Sequence, residues 1–200
     1  LDHECAHVEY SDCDLLEAQI RVWAARHGRS DAMKLKELLN VFEDAWIERA
    51  WGAKNVGSAR YLQEMNRIVI RDTGMAAPCH PTFVPPGSKG GQMGQFGAFT
   101  QAIGRVYSGF VSLDDIDQGI RKLMQDCRSQ IEQGWAASST AEAVEAAEAV
   151  WQRLVDLAEE AKRERERSRR VRVEEGEGGG SGGGSYSSEH GDDEAESGAG

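Results

Sequence analysis

The sequence predicts a mainly α domain over residues 1–172, followed by a disordered acidic linker over residues 173–200. Three observations point there. Apolar residues recur at three- and four-residue steps through one segment after another, which is the period of a helix with one buried face. Candidate caps, Ser112 and Ser139 among them, stand where stripes begin, and Gly28 stands where one ends. From Glu174 onward the chain is rich in Gly, Ser and acids, a composition that cannot bury enough apolar surface to offset chain entropy. A chain of 200 residues accommodates one domain of about 100 to 150 residues with a real core, plus such a tail.

The first helix carries His3-Glu4-Cys5-Ala6-His7, a His-Glu-x-x-His pattern. Residues i and i+4 lie one above the other on a helix, so His3 and His7 can present two imidazole nitrogens to one metal ion at about 2.0 to 2.1 Å. Glu4 is offset from that stripe by one residue. It is poorly placed to bind the same ion but can reach a water there and take its proton, the division of labour of a zinc hydrolase. Leu1 is not an initiator Met, and a ligand helix starting two residues before its first ligand lacks its opening turn, so the chain reads as a fragment.

A second helix, over about residues 14–27, carries Leu15, Leu16, Ala18, Ile20, Val22 and Trp23 and stops at His27-Gly28. His27 reads as a surface histidine near a helix end. The third helix places Leu35, Leu38, Leu39, Phe42 and Trp46 on an apolar face, with Asn40, Glu43, Asp44 and Ile47 on an adjoining stripe. Carboxylates that touch the apolar face, rather than lie opposite it, fit a metal-facing ridge. A catalytic zinc needs a third protein ligand beside two histidines and a water. Glu43 is the candidate, and the spacing leaves Asp44 as the alternative. Asp44 or Asn40 would otherwise orient a ligand imidazole through its second ring nitrogen.

Tyr61, Leu62, Met65, Ile68 and Val69 make a fourth stripe, ending near Asp72-Thr73-Gly74. Pro78, Pro81, Pro85 and Pro86 then impose an extended connection that runs into a glycine-rich segment, Gly87 to Gly97. That segment lacks the Gly-Lys-Ser/Thr ending of a phosphate loop and reads as a flexible loop or lid. Cys79-His80 has no partner pair at ligand spacing and does not read as a metal site. Phe96, Phe99, Ile103, Val106 and Phe110 form the next helix. Ser112, with Asp115 three residues on, opens another that buries Ile116, Ile120, Leu123, Cys127 and Ile131. Ser139, with Glu142 in the same relation, opens the last, whose stripe of Val144, Ala147, Trp151, Leu154, Ala158 and Ala161 gives way to Arg163-Glu164-Arg165-Glu166-Arg167. That run has no apolar face and is expected in solvent.

The net charge of −11 is concentrated in the tail, where residues 174–200 hold eight acids and no Lys or Arg, leaving −3 for the first 173 residues. Nucleic-acid binding by the folded part is thereby disfavoured. Cys5, Cys13, Cys79 and Cys127 form no Cys-x-x-Cys pair, as expected of a reduced cytoplasmic protein. No apolar run approaches the roughly 18 residues of a membrane span, and no signal peptide precedes the motif.

Three stretches together resemble a known family: His3-Glu4-Cys5-Ala6-His7-Val8-Glu9-Tyr10-Ser11-Asp12, then Leu39-Asn40-Val41-Phe42-Glu43-Asp44-Ala45-Trp46-Ile47-Glu48, then Gly57-Ser58-Ala59-Arg60-Tyr61-Leu62. They are similar to the amino-terminal region of CobT-type proteins, cobaltochelatase-subunit-like proteins of bacteria and phages. The similarity covers roughly residues 1–70. Beyond that it is one of layout, since such proteins place an acidic linker before a von Willebrand A domain. Trp46 stands where the family usually has Arg, and Val56 where it has Pro. The resemblance implies a zincin-like helical metallopeptidase core, with zinc bound by His3, His7 and Glu43, Glu4 as the catalytic base, and a peptide or protein substrate. The alternative is a non-catalytic, metal-braced assembly module that docks a chelatase or an AAA-type ATPase.

Overall fold

The computed structural model describes residues 2–73 and 94–177. Residues 74–93, with the Pro-rich connection, Cys79-His80 and most of the glycine-rich segment, and residues 178–200 of the expected linker lie outside the described residues, whereas residues 95–97 and 173–177, expected as loop and linker, are helical. Eight helices run through them: α1 (Asp2–Tyr10), α2 (Cys13–His27), α3 (Arg29–Lys54), α4 (Val56–Thr73), α5 (Gln95–Tyr107), α6 (Gln118–Asp126), α7 (Arg128–Ala136) and α8 (Thr140–Glu177). Among the described residues there is no strand, and no helix is long and apolar enough to cross a membrane. The chain divides into two compact units, Leu1–Ala158 and Glu159–Gly200.

Within the first unit α3 is the hub, packing against α1, α2, α4, α5 and α7. Its expected stripe is buried, with Leu35, Leu38, Leu39 and Phe42 in the core beside Trp23 of α2, Phe99 and Ile103 of α5, Ile120 of α6, Ile131 of α7 and Val150 of α8. Being surrounded by so many helices, α3 also buries Ala45 and Ile47 on its other sides. Gly134 of α7 allows the closest of these approaches: a Cβ there would sit 2.4 Å from the Phe42 ring. Arg49 fastens the same joint from outside, donating to the Trp135 carbonyl at 2.7 Å, to the Ala137 carbonyl and to the Tyr107 hydroxyl at 2.8 Å. A cation on the last carbonyls of α7 satisfies groups that the helix itself leaves unpaired.

The helix ends follow local chemistry. Gly28 adopts φ 84°, closing α2 through its N–H to the Ala24 carbonyl, and its own carbonyl accepts from Ala32 to open α3. Gly109 at φ 71° ends the α5 corner, so Phe110 lies beyond the helix that was expected to include it. The single helix expected from Ser112 to Ile131 is three pieces. Ser112 caps only the short 3-10 turn Leu113–Asp115, Ile116 is extended, and Asp117 caps α6 by accepting from Gly119 and Ile120 N–H. A further break at Cys127 separates α6 from α7. At α8, Glu142 N–H donates to Ser139 Oγ at 3.2 Å, while the Glu142 carboxylate accepts from Ser138 N–H and Oγ. These hydrogen bonds hold the exposed Glu142 carboxyl below the usual carboxylate range. The apolar face of α8 ends near Leu157, and Ala158 is already exposed.

In the second unit, residues 159–170 are exposed helix with alternating charge, including an i,i+4 pair between Arg163 and Glu159 at 3.1 Å. Solvated charges of this kind contribute a few tenths of a kcal/mol per pair, roughly 0.3–0.5.

Candidate metal centre

Helix α1 buries only Ala6. Its attachment to α3 is therefore mostly polar. Lys54 of α3 pairs with Glu9, Tyr10 stacks edge-on against Trp46 at 5.5 Å, and both histidines reach carboxylates of α3. Trp46 thus supplies an aromatic wall to α1, and its ring N–H has no hydrogen-bond partner among the described residues.

Two i,i+4 pairs face each other across this joint: His3 and His7 on α1, Asp44 and Glu48 on α3. His3 Nε2 lies 3.7 Å and His7 Nε2 3.3 Å from Asp44 Oδ1. The ring nitrogens on the far side are both occupied, His3 Nδ1 with Glu48 Oε1 at 3.0 Å and His7 Nδ1 with Ser11 Oγ at 2.9 Å. A carboxylate can only accept, so His3 carries its proton on Nδ1 and, when neutral, turns the Nε2 lone pair toward Asp44. His3, His7 and Asp44 each offer one ligand atom within 4.8 Å of the others. Two imidazoles and a carboxylate, with ring nitrogens braced from behind, are a donor set suited to zinc.

Of the two carboxylates that the spacing offered for a third position, Asp44 lies with the histidines and Glu43 does not. Adjacent residues of a helix point about 100° apart. Asp44 faces α1, whereas Glu43 turns into the core, is 2% exposed, and accepts a hydrogen bond from Thr140 at the start of α8 at 3.2 Å. Asn40 is exposed and makes none of the hydrogen bonds at either histidine. The groups that bond the two Nδ1 atoms are Glu48 and Ser11, not Asn40 or Asp44. Glu48 had a signal in the sequence, standing one turn after Asp44; Ser11 stands one turn after His7. His27 is exposed at the end of α2.

His3 and Asp44 both have raised pKa values. The hydrogen bond that His3 donates to Glu48 raises the pKa of His3 above its usual value against the opposing effect of burial, and the charges of Asp44, Glu48 and Glu4 add to the rise. Burial pushes the Asp44 carboxyl up to about 6, with His3 and His7 pulling it down and Glu48 and Glu43 pushing it up. The Asp44 side chain keeps 43% of its accessible surface, so solvent moderates that burial. As pH falls, protons therefore compete with a cation for the Asp44 and His3 donor atoms.

Glu4 is exposed on α1 and, with His3, Asp44 and Glu48, lines one end of a cleft of about 500 Å³. Leu62 of α4 and Thr100, Arg105 and Tyr107 of α5 form other parts of its wall. No protein-family model, curated protein or solved structure matches this chain.

Proposed function

We propose that the unit Leu1–Ala158 is a zinc-dependent, peptidase-like hydrolase of zincin-like type, the metallohydrolase domain of a CobT-like protein. The observation that carries this reading is the convergence of His3 Nε2, His7 Nε2 and Asp44 Oδ1 while both Nδ1 atoms are braced. His3, His7 and Asp44 would hold the ion. Zinc at such a site supplies Lewis acidity, lowering the pKa of water to about 7 and polarising a substrate carbonyl. Glu48 and Ser11 fix the imidazole orientations. Glu4, on the cleft wall beside His3, takes the proton of the attacking water and returns it to the departing amine. The cleft admits a peptide or protein segment, and the exposure of Glu4 leaves that wall open to it.

Glu4→Gln tests the assignment. It preserves size and hydrogen bonding but removes the base. Zinc-loaded protein carrying it should keep its metal and lose peptide-bond cleavage by about 10²- to 10⁴-fold. Cleavage that survives unchanged contradicts the mechanism. Zinc binding with no hydrolysis of any peptide, together with capture of a chelatase or AAA-type ATPase, would instead favour the metal-braced assembly module.

A further inference from the structure

Thr140 lies far from the cluster in sequence and is 3% exposed. Its hydroxyl accepts from the Asp12 N–H at 3.1 Å and donates to Glu43 Oε1 at 3.2 Å. Each partner is the chain neighbour of a residue of the cluster. Asp12 follows Ser11, whose Oγ meets His7 Nδ1, and Glu43 precedes Asp44. Asp12 also caps α2, its carboxylate accepting from Leu15 N–H at 3.0 Å, so the hydroxyl meets the α1–α2 corner at the residue that starts α2. A hydroxyl both donates and accepts, so one atom serves the corner and α3 at once. The Glu43 carboxylate is nearly fully buried beside the first turn of α8, where the positive end of the helix macrodipole favours its charge.

We propose that Thr140 is a positioning residue: its hydroxyl clamps the α1–α2 corner to α3 and thereby holds His7 of α1 against Asp44 of α3. The inference deepens the zinc reading and rests on it for its purpose. Glu43 acquires a role as the anchor of the clamp. A loosened corner would let α1 shift on α3 and carry His7 away from Asp44, a loss of outer support that typically costs 10- to 100-fold in metal affinity.

The test compares Thr140→Val, which keeps shape and loses the hydroxyl, with Thr140→Ser, which keeps the hydroxyl. Ring ¹⁵N signals of His7 are read in the metal-free protein, followed by zinc titration against a chromophoric chelator. We expect the Val variant to shift the His7 signals toward those of a ring exchanging freely between tautomers and to bind zinc 10- to 100-fold more weakly. The Ser variant should match the wild type in both. Thr140→Ala serves if the Val variant does not fold, and slow hydrogen exchange at the Asp12 amide of the wild type is expected independently of any variant. A folded Val or Ala variant with unchanged His7 signals overturns the proposal, as does a Ser variant as impaired as Val, or rapid exchange at Asp12 in the wild type. Absence of zinc uptake by the wild type would remove the metal reading, while the His7 signals would still decide the role of the hydroxyl.

Discussion

Replacing Glu48 with Ala removes the carboxylate that holds His3 Nδ1 at 3.0 Å and leaves His3, His7 and Asp44 in place. Outer partners of ligating histidines are worth about 10- to 100-fold in metal affinity, or about 1.4–2.7 kcal/mol. Glu48 should fall in the upper half of that range, because hydrogen bonds to charged groups contribute about 1.5–3 kcal/mol against about 0.5–1.5 for neutral ones. Ser11→Ala removes the neutral counterpart at His7 and should cost no more than about tenfold. The loss at Glu48 also depends on pH. Glu48 raises the pKa of His3, so a proton competes for Nε2 at higher pH in the wild type than in the variant. The affinity gap is therefore widest above the raised pKa of His3 and narrows as the pH falls. Competition titration of zinc against a chromophoric chelator, repeated across pH, reads both effects. Unchanged affinity for Glu48→Ala at every pH, or a larger loss for Ser11→Ala, would refute the reasoning.

Three further predictions concern stability. In the metal-free protein the folded state holds a proton on Asp44 up to about pH 6 that the unfolded chain has released, so the contribution of this group falls as pH rises between roughly 4 and 6. His3, with a raised pKa, adds stability that is present below its unfolded value and lost as pH rises through the folded one. Both slopes have the same sign. With its carboxyl partly solvated, Asp44 should account for about 1 kcal/mol after allowance for screening, and urea unfolding in chelator should show Asp44→Asn flattening that slope; an unaltered slope contradicts the assignment. Gly134→Ala forces a methyl to within 2.4 Å of the buried Phe42 ring, and overpacking of about 1–3 kcal/mol should outweigh a helix-propensity gain of up to about 1 kcal/mol. Gly104→Ala meets only ordinary contact with Val41 at 3.5 Å and should be neutral or stabilising in the same urea assay.

The helical architecture was legible because each stripe is a property of one segment. Leu35, Leu38, Leu39 and Phe42 are buried as their spacing requires, and Gly28 ends α2 as its conformational freedom suggests. The break at Ile116–Asp117 was hidden by an apolar period that continues across it, although Asp117 carried a capping signal. The histidine pair was legible for the same local reason. The choice between Glu43 and Asp44 was not, because it depends on which side of a helix packed on several faces meets α1 and which meets α8. Thr140 and Ser11 escaped altogether, since a hydroxyl gains meaning only from what tertiary packing brings to it, in Thr140's case groups from two other segments.

Zinc stoichiometry and affinity of Asp44→Asn beside Glu43→Gln test the centre most directly. Asp44 Oδ1 faces both imidazoles, whereas Glu43 accepts from Thr140, a bond that a Gln carbonyl can still accept. One zinc per chain for the wild type and for Glu43→Gln, with stoichiometric binding lost in Asp44→Asn, is the predicted result. Loss of zinc in Glu43→Gln with retention in Asp44→Asn would contradict it.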